Sequence, residues 1–501
     1  MFNPQTQTFS SISVAEFFYR NRQMAGFGNS AQSVYSAVRE LVENSLDACD
    51  EAGVHPVVRV DITTVDGGTL EISVTDNGTG IHPDHIAEAF GRVLYGSKYG
   101  MRQRRGTFGL GVTMAVLYAQ ITTDTPVEIV TQYRSGEGKR VRLFMDIAAN
   151  RPVVVDETPI DLGNPGTTVR IRLKGSLRRS RERIVEYLRL TSVTSPHAHL
   201  TLFIDGKRVL SVGPWSKTLP ALPRATKPHP RAADVELLRR LVSEYRGTRT
   251  RDFLSRAFQQ MGTRTAARVV RFAGIDSKKR VGELTREEIL SLSNALQKLD
   301  GIARPDASCL SPVGKEAFST AVTRLYSPRF TAYSLRGPSE WSGNPFMIEG
   351  VLALVEGSSS DFPVLLRFAN RVPLLYDASE DVLMKVLRQI NWSRYSITTS
   401  GTPILFVHVC SSRIPYRAAG KQSIASIPEI EREVLSLYRE LGRKAQRFAR
   451  GCVRSVRDRR RMREFERLFR MVAHFGARLA GCKEPPVRDL VVQLFEVDAG
   501  E

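Results

Sequence analysis

The chain has 501 residues, 42% of them hydrophobic, and a formal net charge of +20. That content excludes a disordered chain, and the length asks for several cores rather than one. The basic surplus suits a polyanionic partner, nucleic acid first, although the same surplus also serves as the solvated surface of a thermophilic protein.

The first twenty residues lack the basic-then-apolar order of a secretory signal, and no apolar run is long enough for a transmembrane helix. Instead the chain opens with a helical stretch bearing Phe17, Phe18, Met24 and Phe27. The next pattern, "VYSAVRELVENSLDAC" (34–49), is a helix with two unlike faces. Val34, Val38, Leu41, Val42 and Leu46 form an apolar stripe, and Glu40, Asn44 and Asp47 stack on the opposite side at i, i+4, i+7. Taken alone, such an acidic column reads equally as a solvated face. Glu43 falls at its edge, where a surface or salt-bridge role is expected.

"GGTLEISVTDNGTGI" (67–81) is a strand running into a glycine-rich turn. Alternation puts Leu70, Ile72, Val74 and Asp76 on one face, so Asp76 ends the strand on the covered side. A carboxylate there needs a donor, and the exocyclic amine of a nucleobase is one. Gly78 and Gly80 would leave room for a flat ring, although Asp-Asn-Gly is also an ordinary turn. "IHPDHI" follows, with His82 and His85 read as a helix start.

Residues 94–120, "LYGSKYGMRQRRGTFGLGVTMAVLYAQ", are a glycine-rich loop leading into a helix. Backbone amides of such a loop approach phosphate oxygens, the helix dipole adds to them, and Lys98 supplies a full charge. No Walker A string occurs. Together the three pieces describe a nucleotide site: Asn44 offers an oxygen to a phosphate-bound magnesium ion, and Glu40, one turn away, deprotonates an attacking water.

Further on, His197 and His199 alternate on a strand without a third ligand and are read as structural. "PWSKTLPALPRATKPHPRA" (214–232) is a linker. Residues 233–300 are helical in pattern, with Thr285 and Glu288 at capping-box spacing. Strands return in "PFMIEGVLALVEG", "FPVLLRFANRVPLLYD" and "TPILFVHVC". From Pro428 to Gly481 runs a long basic helix. Its segment 439–470 carries 13 Arg or Lys against 4 Asp or Glu, suited to DNA phosphates or to a solvated face. Lys278, Lys279 and Arg280 make a smaller basic patch. Cys49, Cys309, Cys410, Cys452 and Cys482 lie far apart with no CxxC pair, which fits a reducing compartment.

The order E-x-x-x-N-x-x-D-A, D-x-G-x-G and a glycine-rich loop resembles the GHKL, or Bergerat-fold, ATPases. The strings "FGRVLYGSKYGMRQRRGTFGLGV", "FAGIDSKKRVGELTREEI", "RFANRVPLLYD" and "IPYRAAGKQSIA" are similar to those of the family of ATPase (B-type) subunits of DNA topoisomerase VI. The resemblance spans roughly residues 10–470 and implies an α+β fold. It divides the chain into a Bergerat-fold ATPase sandwich with an N-terminal strap (1–228), a helix-two-turns-helix insert (229–306), an α/β transducer ending in a long helix (307–470) and a tail (471–501).

The resemblance also implies roles. Glu40 is the general base, Asn44 the magnesium ligand, and Asp76 the adenine acceptor helped by Thr167. Ser97, Lys98 and the stretch Gly106, Thr107, Phe108, Gly109, Leu110, Gly111, Val112, Thr113 hold the phosphates. Lys421 reaches the terminal phosphate of ATP. Thr113 stands where relatives often carry lysine, and Ser393 with Arg394 replaces a lysine-first order in "NWSRY". The implied activity is ATP-gated strand passage on duplex DNA without strong sequence specificity. It requires a separate cleaving A-type subunit, a heterotetramer with two copies of each subunit, ATP-dependent pairing of the ATPase subunits through the strap, and a prokaryotic, archaeal cytoplasm. The alternatives are a MutL-like ATP-operated DNA clamp and a non-hydrolysing DNA-binding protein.

Overall fold

The computed structural model describes residues 11–487 except 97–101, 107–108, 135, 358–361, 396–400 and 418–419. Its N-terminal half is built on one sheet of eight strands: β1 (Val57–Asp66), β2 (Thr69–Asp76), β3 (Val127–Gln132), β4 (Gly138–Asp146), β5 (Arg151–Ile160), β6 (Gly166–Lys174), β7 (His199–Ile204) and β8 (Lys207–Val212). Their order is β5-β4-β3-β6-β2-β1-β7-β8, antiparallel except for the β1–β7 pair. The helices here are α1 (Val14–Arg20), α2 (Ser30–Ala52), α3 (Ile86–Gly91), α4 (Gly111–Thr123) and α5 (Leu177–Thr194). α2, α4 and α5 pack together on the sheet and enclose the first core.

α2 outruns the expected 34–49 at both ends because its caps lie further out. Asn29 Oδ1 accepts from Gln32 N at 2.9 Å, and Gly53 closes the helix at φ 69°. The amphipathic reading holds: Val34, Val38, Leu41, Val42 and Leu46 are all at most 2% exposed. In β2, Leu70, Ile72, Val74 and Asp76 are the buried positions of an alternating strand.

Four further helices, α6 (Val235–Glu244), α7 (Thr250–Ala257), α8 (Thr263–Phe272) and α9 (Arg286–Lys298), form a second core around Leu238, Phe253, Val269 and Leu292. Thr285 and Glu288 make both bonds of the expected capping box at the start of α9.

The remaining elements are α10 (Lys315–Tyr326), β9 (Phe330–Trp341), β10 (Asn344–Val355), β11 (Val364–Ala369), β12 (Val372–Pro373), α11 (Val382–Arg388), β13 (Thr402–Ser411) and α12 (Pro428–Ala480). The strands form a second sheet in the order β12-β11-β13-β10-β9. The run 362–377 is therefore two strands, broken where Asn370 and Arg371 take positive φ. α12 is continuous for 53 residues and passes position 470 without a break. Its first turns cross the second sheet, burying Val434, Leu437, Tyr438 and Leu441.

α5 joins the two sheets. Leu190 and Val193 on its last turns share an apolar cluster with Phe318 of α10 and Val351, Phe368 and Phe406 of the second sheet. No described helix is long and apolar enough to cross a membrane.

Candidate functional site

The acidic column of α2, the end of β2, the start of α4 and a loop after β13 meet around one cleft of about 660 Å³. α2 forms one wall because its apolar stripe is committed to the core, which turns Glu40, Asn44 and Asp47 to the cleft. Glu40 is the most confined. A β-carbon built on Gly111 would fall 1.6 Å from Glu40 Oε2, so the carboxylate lies directly against the first turn of α4. Arg39 Nη2 donates to Glu40 Oε1 at 2.5 Å. Burial opposes the charge on Arg39, but Glu40 and Glu43 beside it more than offset that and hold it positive.

Asp47 also lines the cleft, yet its column partner is a protein cation. Arg105 Nη1 donates to Asp47 Oδ1 at 2.9 Å and to Asp50 Oδ2 at 2.7 Å. Burial alone would raise the Asp50 carboxyl; Arg105 and the His197 hydrogen bond hold it well below the usual range. His197 thus has a structural role, but it lies in the turn before β7 and not on the strand with His199.

Asp76 is 9% exposed at the end of β2, and burial lifts its carboxyl to about 6. It accepts from Gly78 N at 2.9 Å, a turn bond, and its strand partner across the sheet is Thr167. Thr167 Oγ1 lies 3.0 Å from Thr131 Oγ1, which also receives Ile81 N at 3.1 Å. The two turn glycines are each required by the packing around them. A β-carbon on Gly78 would come within 2.8 Å of Ala48 in α2, and one on Gly80, at φ 66°, within 1.9 Å of the Gln132 carbonyl. Backbone packing requires both, and only Gly80 lines the cleft.

Among the expected phosphate-loop residues, Gly106, Gly109, Leu110, Gly111 and Val112 line the cleft. Ser97, Lys98, Thr107 and Phe108 lie outside the described residues. Thr113 is turned inward: it is 1% exposed, and its hydroxyl donates to the Leu110 carbonyl at 3.0 Å. His82, His85, Tyr95 and Tyr133 edge the cleft, which sequence reasoning had assigned only to a helix start or not at all.

Lys421 reaches this cleft from the C-terminal half. Its Nζ donates to the Arg105 carbonyl at 3.3 Å and stands 3.8 Å from Glu43 Oε2. Its backbone sits at φ 53°, a conformation that a side chain of this size adopts only when held. Arg39 Nη1 supplies a hold by donating to the Gly420 carbonyl at 3.2 Å. The arm before α4 is joined to the same half by Gln103 N to the Cys309 carbonyl at 2.9 Å and Asn370 Nδ2 to the Arg104 carbonyl at 3.1 Å.

Glu43 departs from its expected surface role. It is 2% exposed, with Arg39 Nε 3.4 Å from Oε1, and burial lifts its carboxyl to about 7. Arg39 and Arg105 are the groups that sequence reasoning passed over. For Arg39 the signal was an arginine set directly beside acids in a helix with a buried face; Arg105, in the loop before α4 with no acid beside it in the sequence, carried no such signal.

One further described cluster has metal-ligating chemistry: Glu349, His408 and Cys410, all buried. The lone pairs of Glu349 and His408 are already taken. Glu349 receives His408 Nδ1, Val313 N, Gly314 N and Tyr333 OH, and His408 Nε2 receives Arg371 N. It is a hydrogen-bonded hub of the second sheet.

Two family models match the chain. "Histidine kinase-, DNA gyrase B-, and HSP90-like ATPase" covers residues 29–149, and "Topoisomerase VI B subunit, transducer" covers 305–461. The chain is 37% identical over 455 residues to the B-type subunit of type 2 DNA topoisomerase 6 from Saccharolobus islandicus, and 37% identical over 452 residues to that from Metallosphaera sedula. Each match covers 88% of this chain and 85% of the relative. Among solved structures, the Aquifex aeolicus MutL ATPase domain complexed with ADP aligns at 14% identity with a TM-score of 0.34. That match covers 75% of this chain and 90% of that one, a likeness too slight to bear on function.

Proposed function

Because the chain belongs to the family of B-type subunits of DNA topoisomerase VI, we propose that the cleft between α2, β2 and α4 is the ATP site through which it gates strand passage. The chain is the ATP-binding and ATP-hydrolysing subunit of a type IIB DNA topoisomerase and works with a separate A-type subunit. The observation that carries the site assignment is that Glu40, Asn44, Asp76 and Lys421, drawn from distant parts of the chain, line one cavity.

The chemistry follows from those positions. Asp76 accepts from the exocyclic amine of adenine, with Thr167 beside it. Backbone amides of Gly109–Val112 and the N-terminus of α4 donate to phosphate oxygens. Glu40 takes a proton from a water as the water oxygen bonds to the terminal phosphorus and the bond to the bridging oxygen breaks, releasing ADP and phosphate. Arg39 fixes the direction of that carboxylate. Lys421 pairs with the terminal phosphate and thereby reports ATP against ADP to the second sheet. Asn44, with carboxylate oxygens on either side of it along α2, is a hard oxygen donor set of the kind magnesium takes. When bound there, the ion neutralises charge on the phosphates.

The division 1–228, 229–306 and 307–470 is supported by three separate buried cores, with α12 running on to Ala480. For partners, the proposal is a heterotetramer with two copies each of this chain and the cleaving subunit, acting on duplex DNA without strong sequence preference. Pairing of two copies of this chain is supported by Phe17, Tyr19 and Met24, exposed on the N-terminal segment; Phe27 is buried in its own core. The base-rich middle of α12 suits DNA phosphates. Its last turns expose Leu468, Met471, Val472 and Phe475, an apolar surface open to another chain.

The test is relaxation of supercoiled DNA with ATP, with and without the cleaving subunit. Relaxation by this chain alone defeats the division of labour. ATP-dependent retention of circular DNA with no need of a cleaving partner would favour the clamp. Glu40→Ala is expected to bind ATP and pair, yet not turn over; wild-type turnover by that variant removes Glu40 as the base.

A further inference from the structure

ATP hydrolysis by Glu40 leaves one buried carboxylate without a task. Glu43 sits one turn of α2 beyond Arg39, behind the residues that line the cleft, with a side chain 2% exposed. Among the described residues, neither of its carboxylate oxygens has a hydrogen-bond partner. A buried carboxylate in that condition is costly unless a cation stands near it. Two do. Arg39 Nε is 3.4 Å from Oε1, but the guanidinium of Arg39 is already engaged by Glu40 and by the Gly420 carbonyl. Lys421 Nζ is 3.8 Å from Oε2, and its hydrogen bond runs to the Arg105 carbonyl.

Lys421 therefore faces two anionic directions at once. It lines the cleft, and it lies within ion-pair range of Glu43. The separation exceeds that of a well-formed ammonium–carboxylate pair, about 2.7–2.9 Å. The hold is thus loose enough for a phosphate oxygen to outcompete, yet strong enough in a buried setting to draw the ammonium back. Arg39 couples the two ends of this arrangement, because one guanidinium contacts Glu40, Glu43 and the carbonyl preceding Lys421.

We propose that Glu43 is a positioning residue: the internal counter-charge to which Lys421 returns when the terminal phosphate leaves, and so the group that limits how strongly the site prefers ATP over ADP. The proposal rests on the reading of Lys421 as the group that meets the terminal phosphate. It assigns Glu43 no contact with substrate. Whatever Glu43 does to nucleotide preference must pass through Lys421.

The experiment is equilibrium binding of ADP and of a non-hydrolysable ATP analogue to the full chain, at one protein concentration and at pH 8.5, above the value to which burial lifts the Glu43 carboxyl, for Glu43→Gln, Glu43→Asp, Lys421→Ala and the double variants. The readout is the ratio of the ADP to the analogue Kd. Removing the carboxylate charge frees Lys421 for the phosphate, so Glu43→Gln raises the ratio about five- to tenfold, while ADP affinity stays within about twofold. Glu43→Asp, which draws the charge back by one methylene, raises it about two- to threefold. In the Lys421→Ala background neither change moves the ratio by more than about twofold.

An unchanged ratio in Glu43→Gln overturns the proposal while leaving the Lys421 reading intact. An equal rise in both backgrounds also overturns it, since Glu43 would then act by a route other than Lys421, such as the Arg39 guanidinium it shares with Glu40. A wild-type ratio in Lys421→Ala alone refutes the sensor reading instead. If Glu43→Gln does not bind ADP, Glu43→Asp carries the same comparison, and no rise there is decisive against the proposal.

Discussion

Gly111→Ala separates catalysis from folding at this site. A β-carbon on Gly111 would lie 1.6 Å from Glu40 Oε2, 2.4 Å from Cδ and 3.0 Å from Cγ. Carbon and oxygen atoms not bonded to each other stay roughly 3.5 Å apart, so the carboxylate must swing away by about 2 Å. The obstacle is the end of a flexible side chain, and at Gly111, the first residue of α4, alanine keeps at most part of the roughly 1 kcal/mol helix advantage it has in an interior. Folding is therefore expected to change little, with Tm within about 5 °C of the parent. Hydrolysis is not so tolerant, because displacement of a reacting group by about 1 Å can cost about 100-fold. The expected result is a kcat at least ~100-fold lower, with ADP affinity within about threefold. Phosphate release, equilibrium binding and thermal melting on the same preparation measure all three. Turnover within twofold of wild type would refute the placement of a working Glu40 against the start of α4.

Asp76→Asn is expected to abolish tight ATP binding and to stabilise the nucleotide-free chain. The Asp76 carboxyl is raised to about 6 by burial, so its destabilising contribution is absent below the unfolded value near 4 and fully present above pH 6. Removing the charge should recover up to about 3 kcal/mol at pH 7.5 and little at pH 4, as urea denaturation at both values would report. ATP affinity of the parent chain should fall as pH drops through 6; a flat profile from 7.5 to 5.5 contradicts Asp76 as the adenine acceptor. Arg105→Ala leaves Asp47 and Asp50 without their shared guanidinium and should cost about 3–5 kcal/mol of stability, against a fraction of that if the pairs were solvated. Replacing Arg460, Arg461 and Arg463 on α12 by glutamine should lessen the slope of log K for duplex DNA against log salt by up to about 3, equally for unrelated sequences. No change in slope would return that face to solvent.

Local pattern carried much of the architecture. The 3.6-residue period of α2 separated the stripe Val34–Leu46 from the column Glu40, Asn44, Asp47, because one helix face must be apolar to dock on a sheet. Alternation in β2 put Asp76 on the buried face for the same kind of reason. The capping box at Thr285 and the uninterrupted basic helix were legible too, since caps and periodicity are properties of neighbouring residues. Four readings shifted, the first three where another segment decides. Glu43 lies on a helix edge that Lys421, more than 370 residues later, closes over. Asp47 meets Arg105 from the arm before α4. Gly78 and Gly80 answer first to the packing of Ala48 and Gln132. Thr113 is the local case: it is buried, and its hydroxyl bonds to the Leu110 carbonyl at the start of its own helix.

What the amino-acid order determined by itself is therefore the inventory of the site: a carboxylate and an amide one turn apart, a strand-end aspartate, a glycine-rich approach to a helix, and a lysine after "AAG". Local spacing dictates which side chains share a face, and that is enough to name the chemistry. Only the tertiary structure decided which charge meets which. The ion pairs Arg39–Glu40–Glu43–Lys421 and Asp47–Arg105–Asp50 draw on α2, the arm before α4 and the loop after β13. Burial and charge pairing are set by what packs from afar, and no period along a single helix records that.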